Sequence, residues 1–220
     1  LDVLQKFIDN STETINVEWL DDDASGVIEP LELGDQIWSD GRIIILKCYN
    51  FSGPIDLDCG ISGDIPNEIN NLTNLEYLVL PFNQITGIIV PELCELTNLK
   101  SLYLHSNDQI TGQIPECITN LTNLDFLTFS LNQLSGEIPK QIGDLINLRG
   151  LSLSGNQLKG EIPESIGDLE NLWWLLLGNN QLTGEIPEEI CNQGDSSPFL
   201  SNNQLCPPYP DCGEGPIISE

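Results

Sequence analysis

The chain has 220 residues, and its 34 acidic side chains outnumber its 7 basic ones to give a formal net charge of −27. Because phosphate groups are bound by Lys and Arg, this balance argues against a nucleic-acid partner. No stretch approaches the roughly 18 consecutive apolar residues of a membrane helix, so this segment is not expected to span a membrane. The acidic surface is compatible with a solvated shell for a salty or extracellular setting and also with a cation-binding surface.

Residues 1–47 are predicted to form an N-terminal cap. The apolar residues at its start follow the spacing of one helical face: Leu1, Val3, Leu4, Phe7 and Ile8. Such a helix suits the role of covering the open end of a stack. Trp19 and Trp38 are interpreted as part of this lid rather than as a site.

An acidic segment within the cap resembles an EF-hand calcium loop. Its ligand positions are occupied by Asp21, Asp23, Ser25 and Glu32. Gly26 falls at the turn, but Pro30 inside the loop and Gly34 after it oppose the assignment. Calcium is therefore kept only as an alternative, and no other cofactor, metal or catalytic residue is expected.

Seven cysteines indicate an oxidising compartment with one thiol left over. We expect the bridges Cys48–Cys59, Cys94–Cys117 and Cys206–Cys212, the last of which would close the stiff segment PPYPD; the spacing alone leaves the connectivity open. Four N-x-S/T sequons agree with secretion and are glycosylation candidates: Asn10, Asn50, Asn71 and Asn120.

One phrase recurs from Leu72 onward, NL-x-x-L-x-L-x-x-NQL-x-G-x-IP. Its anchor asparagines are Asn83, Asn107, Asn132, Asn156, Asn180 and Asn203, with gaps of 24, 25, 24, 24 and 23 residues by subtraction. A period in this range is typical of a solenoid, in which each unit must stack on a neighbour to bury its apolar face. We predict repeats over residues 48–190, the early ones irregular, and a C-terminal cap with a final partial repeat and tail over 191–220. The segment Ile88–Pro91 reads as one residue longer than its counterparts.

A single unit shows how a layer forms. Alternation in Leu148–Asn156 predicts a strand, with Leu151 and Leu153 pointing inward and the intervening serines outward. Asn156 ends the strand, where its amide can bond backbone groups of adjacent layers in an internal ladder. Gly160–Pro163 then permits a bend before a short helical turn at Glu164–Leu169.

Over about residues 61–205 the sequence resembles the plant-type extracellular leucine-rich repeat family, whose unit reads LxxLxLxxNxLxGxIP. GEIP recurs at 136–139, 160–163 and 184–187, and the tail LSNNQLCPPYPDC is similar to the C-terminal caps of that family. The resemblance implies an α/β solenoid with a concave parallel β-sheet and short helical or 3-10 convex turns, used for binding rather than catalysis. Residues 1–40 lack the cysteine pair that the family carries in its N-terminal cap.

Stacking converts repeat positions into columns on the sheet. The first exposed column reads Glu76, Lys100, Asp125, Arg149 and Trp173, whose alternating charges favour cross-strand ion pairs. The next two columns place several aromatic residues on the face that the leucines do not need. The predicted ligand-binding residues on this concave face are Tyr77, Phe82, Tyr103, His105, Phe126, Trp173 and Trp174. His105 is read as a surface contact residue.

A further column follows the G-x-IP position and reads Asp64, Ile88, Gln113, Glu137, Glu161 and Glu185. Its three successive glutamates would repel one another if they stood side by side. Either solvation of the carboxylates or a bridging cation would relieve this repulsion.

The sequence favours a non-enzymatic extracellular recognition module, secreted or at the cell surface, that binds a protein or polysaccharide on the concave face. Roles like those of polygalacturonase inhibitors or receptor ectodomains follow from the resemblance alone. A structural or self-assembling cell-surface protein is an alternative. Ice binding is a remote alternative, because the column Thr86, Thr111, Ser135, Lys159 and Thr183 is interrupted by lysine.

Overall fold

The structure, a computed structural model, describes residues 1–11, 33, 35–50, 57–195 and 197–212. One α-helix, α1, spans Asp2–Asn10. The strands are β1 (Asp35–Ser39), β2 (Arg42–Lys47), β3 (Tyr49–Asn50), β4 (Leu57–Asp58), β5 (Ser62–Asp64), β6 (Tyr77–Val79), β7 (Gln84–Thr86), β8 (Ser101–Tyr103), β9 (Phe126–Thr128), β10 (Ser135–Gly136), β11 (Gly150–Ser152), β12 (Gln157–Gly160), β13 (Trp174–Leu176), β14 (Gln181–Glu185) and β15 (Gln204–Cys206). The 3-10 turns are Asn67–Asn71, Pro91–Glu95, Glu116–Asn120, Ile142–Asp144, Glu164–Asp168 and Glu188–Cys191.

The largest sheet has seven strands in the order β1-β2-β6-β8-β9-β11-β13. Only β1 is antiparallel to its neighbour, and each later strand is parallel to the one before it, one repeat further along the chain. Each 3-10 turn carries the chain back on the opposite side. This arrangement confirms the predicted solenoid with a parallel sheet and short 3-10 turns.

A narrower parallel sheet lies beyond the end of the main strands in each layer, with the order β10-β12-β14-β15. Its register is shifted: Lys159 pairs with Gln181 and Thr183 pairs with Gln204, so equivalent positions of successive repeats are not direct partners. The expectation that the glutamates of the G-x-IP column stand side by side is therefore wrong. Glu137 and Glu161 instead lean over the glycine of the next repeat, and a Cβ built on Gly184 would lie 2.8 Å from Glu161 Cγ.

The core is one continuous cluster of Leu, Ile and Phe side chains that runs through all the layers. Leu151, Leu153, Ile162, Ile166 and Leu169 are each at most 3% exposed, as predicted from the repeat. The Pro at the end of G-x-IP precedes the 3-10 turn with extended backbone, as at Pro163 (ψ 139°). Periodic leucines thus build the core layer by layer, since no single repeat could bury them alone.

The predicted asparagine ladder is confirmed. Asn156 Nδ2 donates to the carbonyls of Leu153 and Phe129, both at 3.0 Å, and its Oδ1 accepts the Leu134 amide at 3.0 Å. Each such side chain joins its own layer to the previous one at a buried turn. A second, exposed ladder joins the layers near the start of each strand, as where Asn147 Nδ2 donates to the Thr122 carbonyl at 2.9 Å.

The N-terminal cap contains the expected helix. Val3, Leu4, Phe7 and Ile8 of α1 are buried, whereas Leu1 precedes the helix and is 60% exposed. Trp38 lies in β1 and is 38% exposed. The remaining predictions for the cap, which concern Trp19 and the calcium-loop residues Asp21, Asp23, Ser25 and Glu32, fall outside the described residues.

Disulfides Cys48–Cys59 and Cys94–Cys117 form as predicted. The expected Cys206–Cys212 bridge is wrong, because Cys212 pairs with Cys191 and Cys206 is an exposed free thiol. The reason is the final strand: β15 pairs with β14, with Cys206 opposite Glu185. The chain then returns to the end of the last 3-10 turn, where the Cα atoms of Cys191 and Cys212 are 5.0 Å apart.

The Ile88–Pro91 segment does not contain an extra residue. Val90 takes the position that a proline, such as Pro115 or Pro163, occupies directly before other 3-10 turns. Its backbone has φ −67° and ψ 137°, and Pro91 is the first residue of the turn. Proline is compatible with that position because the first turn of a helix leaves its amide groups without intrahelical acceptors.

Candidate functional site: the concave sheet

The main sheet aligns the predicted columns as expected. Tyr77, Ser101, Phe126, Gly150 and Trp174 are register partners on successive strands. The parallel column contains Val79, Tyr103, Thr128, Ser152 and Leu176. Because the inward positions between these columns are filled by leucine, both columns face away from the core. The register prediction is thus confirmed, whereas the binding role of these residues stays a prediction.

Six of the seven predicted residues form a continuous group that we call the aromatic strip: Phe82, His105, Tyr103, Phe126, Trp173 and Trp174. Neighbouring ring centroids along it are 5.3 to 6.2 Å apart. These separations are typical of favourable aromatic contacts. The strip crosses the layers from β6 to β13. Tyr77 lies on the same face, where its register partners are Ile45 and Ser101.

Gly150 gives the strip its central stack. The Trp174 ring lies directly above this glycine, since a Cβ added there would be 2.1 Å from Trp174 Cζ2. The missing side chain lets Trp174 reach across β11 and stack on Phe126, with ring centroids 6.1 Å apart and planes 22° from parallel. A residue without a side chain thus brings two aromatic residues of the same column, two strands apart, into contact.

Trp173 is the most exposed part of the strip, with 63% of its surface accessible. Its ring meets the edge of Phe126 and carries the Arg149 guanidinium 5.2 Å from its centroid. Arg149 Nε is also 3.7 Å from Asp125 Oδ1. The tryptophan is therefore held between an aromatic ring and a cation while a large apolar surface remains open to a ligand.

The charge column borders the strip on one side. Lys100 Nζ donates to Glu76 Oε2 at 2.7 Å, which raises the pKa of the ammonium group. Together with the Arg149–Asp125 pair, this contact confirms the predicted alternation of ion pairs. All four side chains are at least one-third exposed, so the pairs contribute little to stability and mainly set the charge along the rim.

His105 lies within the strip rather than at its edge. Its Nδ1 is 3.0 Å from Thr128 Oγ1, and its ring is in contact with those of Phe82 and Tyr103. Burial lowers the pKa of the imidazole, because the charged form loses hydration. Burial, followed by the Asp125 carboxylate, raises the pKa of Tyr103. Both rings are thus neutral at neutral pH, and His105 is more enclosed than the expected surface contact residue.

Phe199 was missed from the sequence and belongs to the same face. It pairs with Leu176 one layer beyond β13, and its ring lies over Gly178, where a Cβ would be 2.1 Å from Phe199 Cε1. The sequence did contain a signal for it: Phe199 lies four residues before Asn203, as Leu176 lies four residues before Asn180. The 23-residue gap between the two asparagines obscured this correspondence.

The predicted glycosylation residues differ in their placement. Asn71 and Asn120 are exposed at the last positions of two 3-10 turns, two repeats apart. Asn10 is exposed at the end of α1, and its Nδ2 donates to the Asp64 carbonyl at 3.0 Å. Asn50 lies in β3, and the rest of its sequon is outside the described residues. All four remain predictions.

Across the described ranges, no group of three or more His, Cys, Asp or Glu side chains is placed to hold a metal ion. In the same part of the chain, no helix combines the length and apolar character required to cross a membrane.

Comparisons with known proteins agree with this architecture. Family models described as "Leucine Rich repeats (2 copies)" and "Leucine Rich Repeat" match residues 73–116 and residues 147–169 and 171–193, respectively. No curated protein sequence gives a significant match.

Among solved structures, the Arabidopsis receptor kinase HAESA, in complex with the peptide hormone IDA and the co-receptor SERK1, is 36% identical over 74% of this chain and 26% of its own, with a TM-score of 0.66. A plant ice-binding protein is 30% identical over 93% of this chain and 63% of its own, with a TM-score of 0.73. A Leptospira interrogans LRR protein is 33% identical over 74% of this chain and 38% of its own, with a TM-score of 0.60.

The repeat pattern, the two parallel sheets and these matches define a solenoid protein of the α/β type. The chain is a plant-type extracellular leucine-rich repeat protein. It spans about a quarter of the length of the receptor chain HAESA and 63% of the plant ice-binding protein.

Proposed function

We propose that the chain is a non-enzymatic extracellular recognition module that binds a polypeptide segment on its concave face. The observation that carries the proposal is the aromatic strip, with Trp173 63% exposed above an ordered stack. Three disulfides support an extracellular location, because such bonds persist in oxidising compartments. The similar receptor HAESA is described in complex with a peptide hormone.

The chemistry of the strip favours a protein ligand. Binding energy at protein interfaces concentrates in Trp, Tyr and Arg, and here Trp173, Trp174, Tyr103 and Arg149 lie within one connected group. The rings are already ordered by mutual contact, so little side-chain entropy remains to be lost on binding. With a net charge of −27, the module favours ligands that carry basic residues.

The test is selection of peptides from a displayed library on the wild-type protein, followed by calorimetry with the selected peptides. Trp173→Ala/Trp174→Ala should weaken binding by about 30-fold or more, the loss typical of an interface hot spot. Ile146→Ala is the matched control, because Ile146 is 56% exposed beside the 3-10 turn Ile142–Asp144, away from the aromatic strip. Equal affinity of the double variant and the wild type would place the binding surface elsewhere. Binding of a polysaccharide in a parallel glycan array, without peptide binding, would replace the polypeptide with a glycan.

Ice binding is a second candidate, favoured by the similarity to a plant ice-binding protein over 93% of this chain. The threonine column that suggested it begins outside the narrow sheet, with Thr86 in the β5–β7 pair and Thr111 in an isolated bridge to Ile88. Thr86 Oγ1 donates a hydrogen bond to Asp64 Oδ1 at 2.6 Å, and Thr111 Oγ1 donates one to the Gly87 carbonyl at 3.0 Å. These hydroxyl groups are engaged within the protein, which leaves them less able to order water. Measurement of thermal hysteresis decides the matter, and its absence would remove this candidate.

A further inference from the structure

The residue before each ladder asparagine has a left-handed backbone. These residues, with φ between 55° and 69°, are Phe82, Ser106, Leu131, Gly155, Asn179 and Asn202. Glycine adopts this conformation freely and asparagine tolerates it, whereas bulky apolar residues do so at a cost in free energy. The column therefore contains two bulky apolar residues, Phe82 and Leu131, in a conformation that disfavours them.

Core packing does not account for these two residues. Leu131 is 55% exposed and Phe82 is 40% exposed. They lie two layers apart, with Ser106 between them. At the usual spacing between neighbouring strands, this corresponds to about 10 Å along the sheet. The Leu131 side chain extends over Gly155, where a Cβ would lie 2.8 Å from Leu131 Cδ2. Phe82 contacts the His105 ring, so this column continues the aromatic strip to the rim of the sheet.

A third departure from the repeat lies between them. Asp108 is the extra residue of the 25-residue gap, is exposed, and has a left-handed φ of 61°. Its backbone N donates to the Leu131 carbonyl at 3.3 Å. In the next layer the Asn132 Oδ1 atom is buried, and no donor from the described residues reaches it. Local costs of this kind cluster at ligand-binding sites, where function maintains them.

We propose that Phe82, Asp108 and Leu131 form a rim site that receives an apolar side chain and an adjacent Lys or Arg of the polypeptide ligand. The apolar side chain packs between Phe82 and Leu131, and the cation pairs with the Asp108 carboxylate. This inference rests on the proposed function, and it adds a specificity-determining site at the rim, which shares Phe82 with the aromatic strip. The net charge of −27 complements the cationic ligand.

The experiment titrates 2-phenylethylamine, a small molecule with an aromatic ring and an ammonium group, into the full chain and follows the backbone amide signals by NMR. The control probe is 3-phenylpropionate, which carries a carboxylate instead. The amine should shift the amide signals of residues 82, 106–108 and 131 most strongly, whereas the carboxylate probe should not. Asp108→Asn should reduce the shifts caused by the amine at least two-fold.

Leu131→Asn and Phe82→Asn separate a binding role from a structural one. Each should raise the melting temperature by about 2–8 °C, because asparagine tolerates the left-handed backbone. Each variant should also bind the amine and the library-selected peptides with an affinity about five-fold lower or more. Asn179→Leu is the matched control in the same column, and it should lower the melting temperature without changing binding.

Two results would overturn the rim site: stabilised Leu131→Asn and Phe82→Asn variants that bind as tightly as the wild type, or amine shifts spread evenly over the acidic surface. The tryptophan end of the aromatic strip is tested independently. If peptide binding is lost in the double tryptophan variant but unchanged in the rim variants, the proposed function stands and the rim site fails. Peptide binding that survives the double tryptophan change overturns the strip, while the amine shifts still report on the rim.

Discussion

Deletion of Asp108 should stabilise the protein, because this residue interrupts the buried asparagine ladder. In a regular layer, the ladder Oδ1 accepts the amide two residues after the previous ladder asparagine; Asn107 accepts from Ile85 at 3.1 Å in this way. For Asn132 the corresponding amide is that of Ile110, which lies three residues after Asn107 instead of two. The deletion restores the regular spacing and provides the missing donor.

The expected gain follows from the hydrogen bonds that change. A buried acceptor without a donor costs about 1–3 kcal/mol, and the deletion would satisfy Asn132 Oδ1. The exposed bond from Gln133 Nε2 to the Asp108 carbonyl, 2.7 Å long, would be lost to water at a cost of about 0.5 kcal/mol. The free energy of unfolding should therefore rise by about 0.5–2.5 kcal/mol. For a chain of this length, that corresponds to an increase in melting temperature of about 1–10 °C.

Urea and thermal unfolding followed by circular dichroism measure this effect. Asp108→Asn keeps the chain length and removes one carboxylate, so it reports the electrostatic part alone and should change stability less. Asn132→Ala should cost at least 1 kcal/mol more in the deletion background than in the wild type, about the value of one restored hydrogen bond. Equal costs in the two backgrounds, or a deletion variant that melts at or below the wild type, would refute the ladder argument.

Three further outcomes are expected. Asn156→Ala, on the buried ladder, should lower the free energy of unfolding by about 1–3 kcal/mol, whereas Asn147→Ala, on the exposed ladder, should cost less than about 1 kcal/mol in the same urea titration; similar losses would contradict the distinction. Gly150→Ala should displace Trp174 from its stack, which would change the near-ultraviolet circular dichroism and cost about 1–3 kcal/mol; an unchanged spectrum would argue against the stack. Because burial lowers the folded-state pKa of His105, its stabilising contribution is present above the unfolded pKa of about 6.5 and is lost as pH falls toward the folded value. The difference in unfolding free energy between wild type and His105→Gln should therefore shrink between pH 7.5 and 5, and a constant difference would refute this assignment.

Residues that repeat in every layer were predictable from the sequence because each layer solves the same local problem. At every occurrence of the repeat phrase, the asparagine must satisfy backbone groups at a buried turn, as Asn156 does. The leucine at the position of Leu151 must likewise face the core. The main-sheet columns followed directly, since parallel strands one repeat apart pair at equivalent positions. This is why the ion pairs and the alignment of Phe126 with Trp174 were expected correctly.

Single events were harder to predict. Whether Cys212 pairs with Cys206 or with Cys191 depends on how β15 docks on β14, which the spacing of the cysteines does not specify. The order Ile88–Pro91 suggested an insertion because proline moved by one position, although Val90 has the same backbone conformation that proline supplies elsewhere. In both cases a local pattern was consistent with more than one path of the chain.

By itself, the sequence determined the solenoid, the core, both faces of the main sheet and the presence of aromatic residues on one of them. Periodicity is sufficient for this, since it sets which side chains point inward and which layers are neighbours. Only the tertiary structure decided the shifted register of the narrow sheet, the stacking of Trp174 across Gly150 and the left-handed backbone at Leu131. These features depend on how a side chain in one layer occupies space left open in another, and such contacts between layers are absent from the repeat pattern.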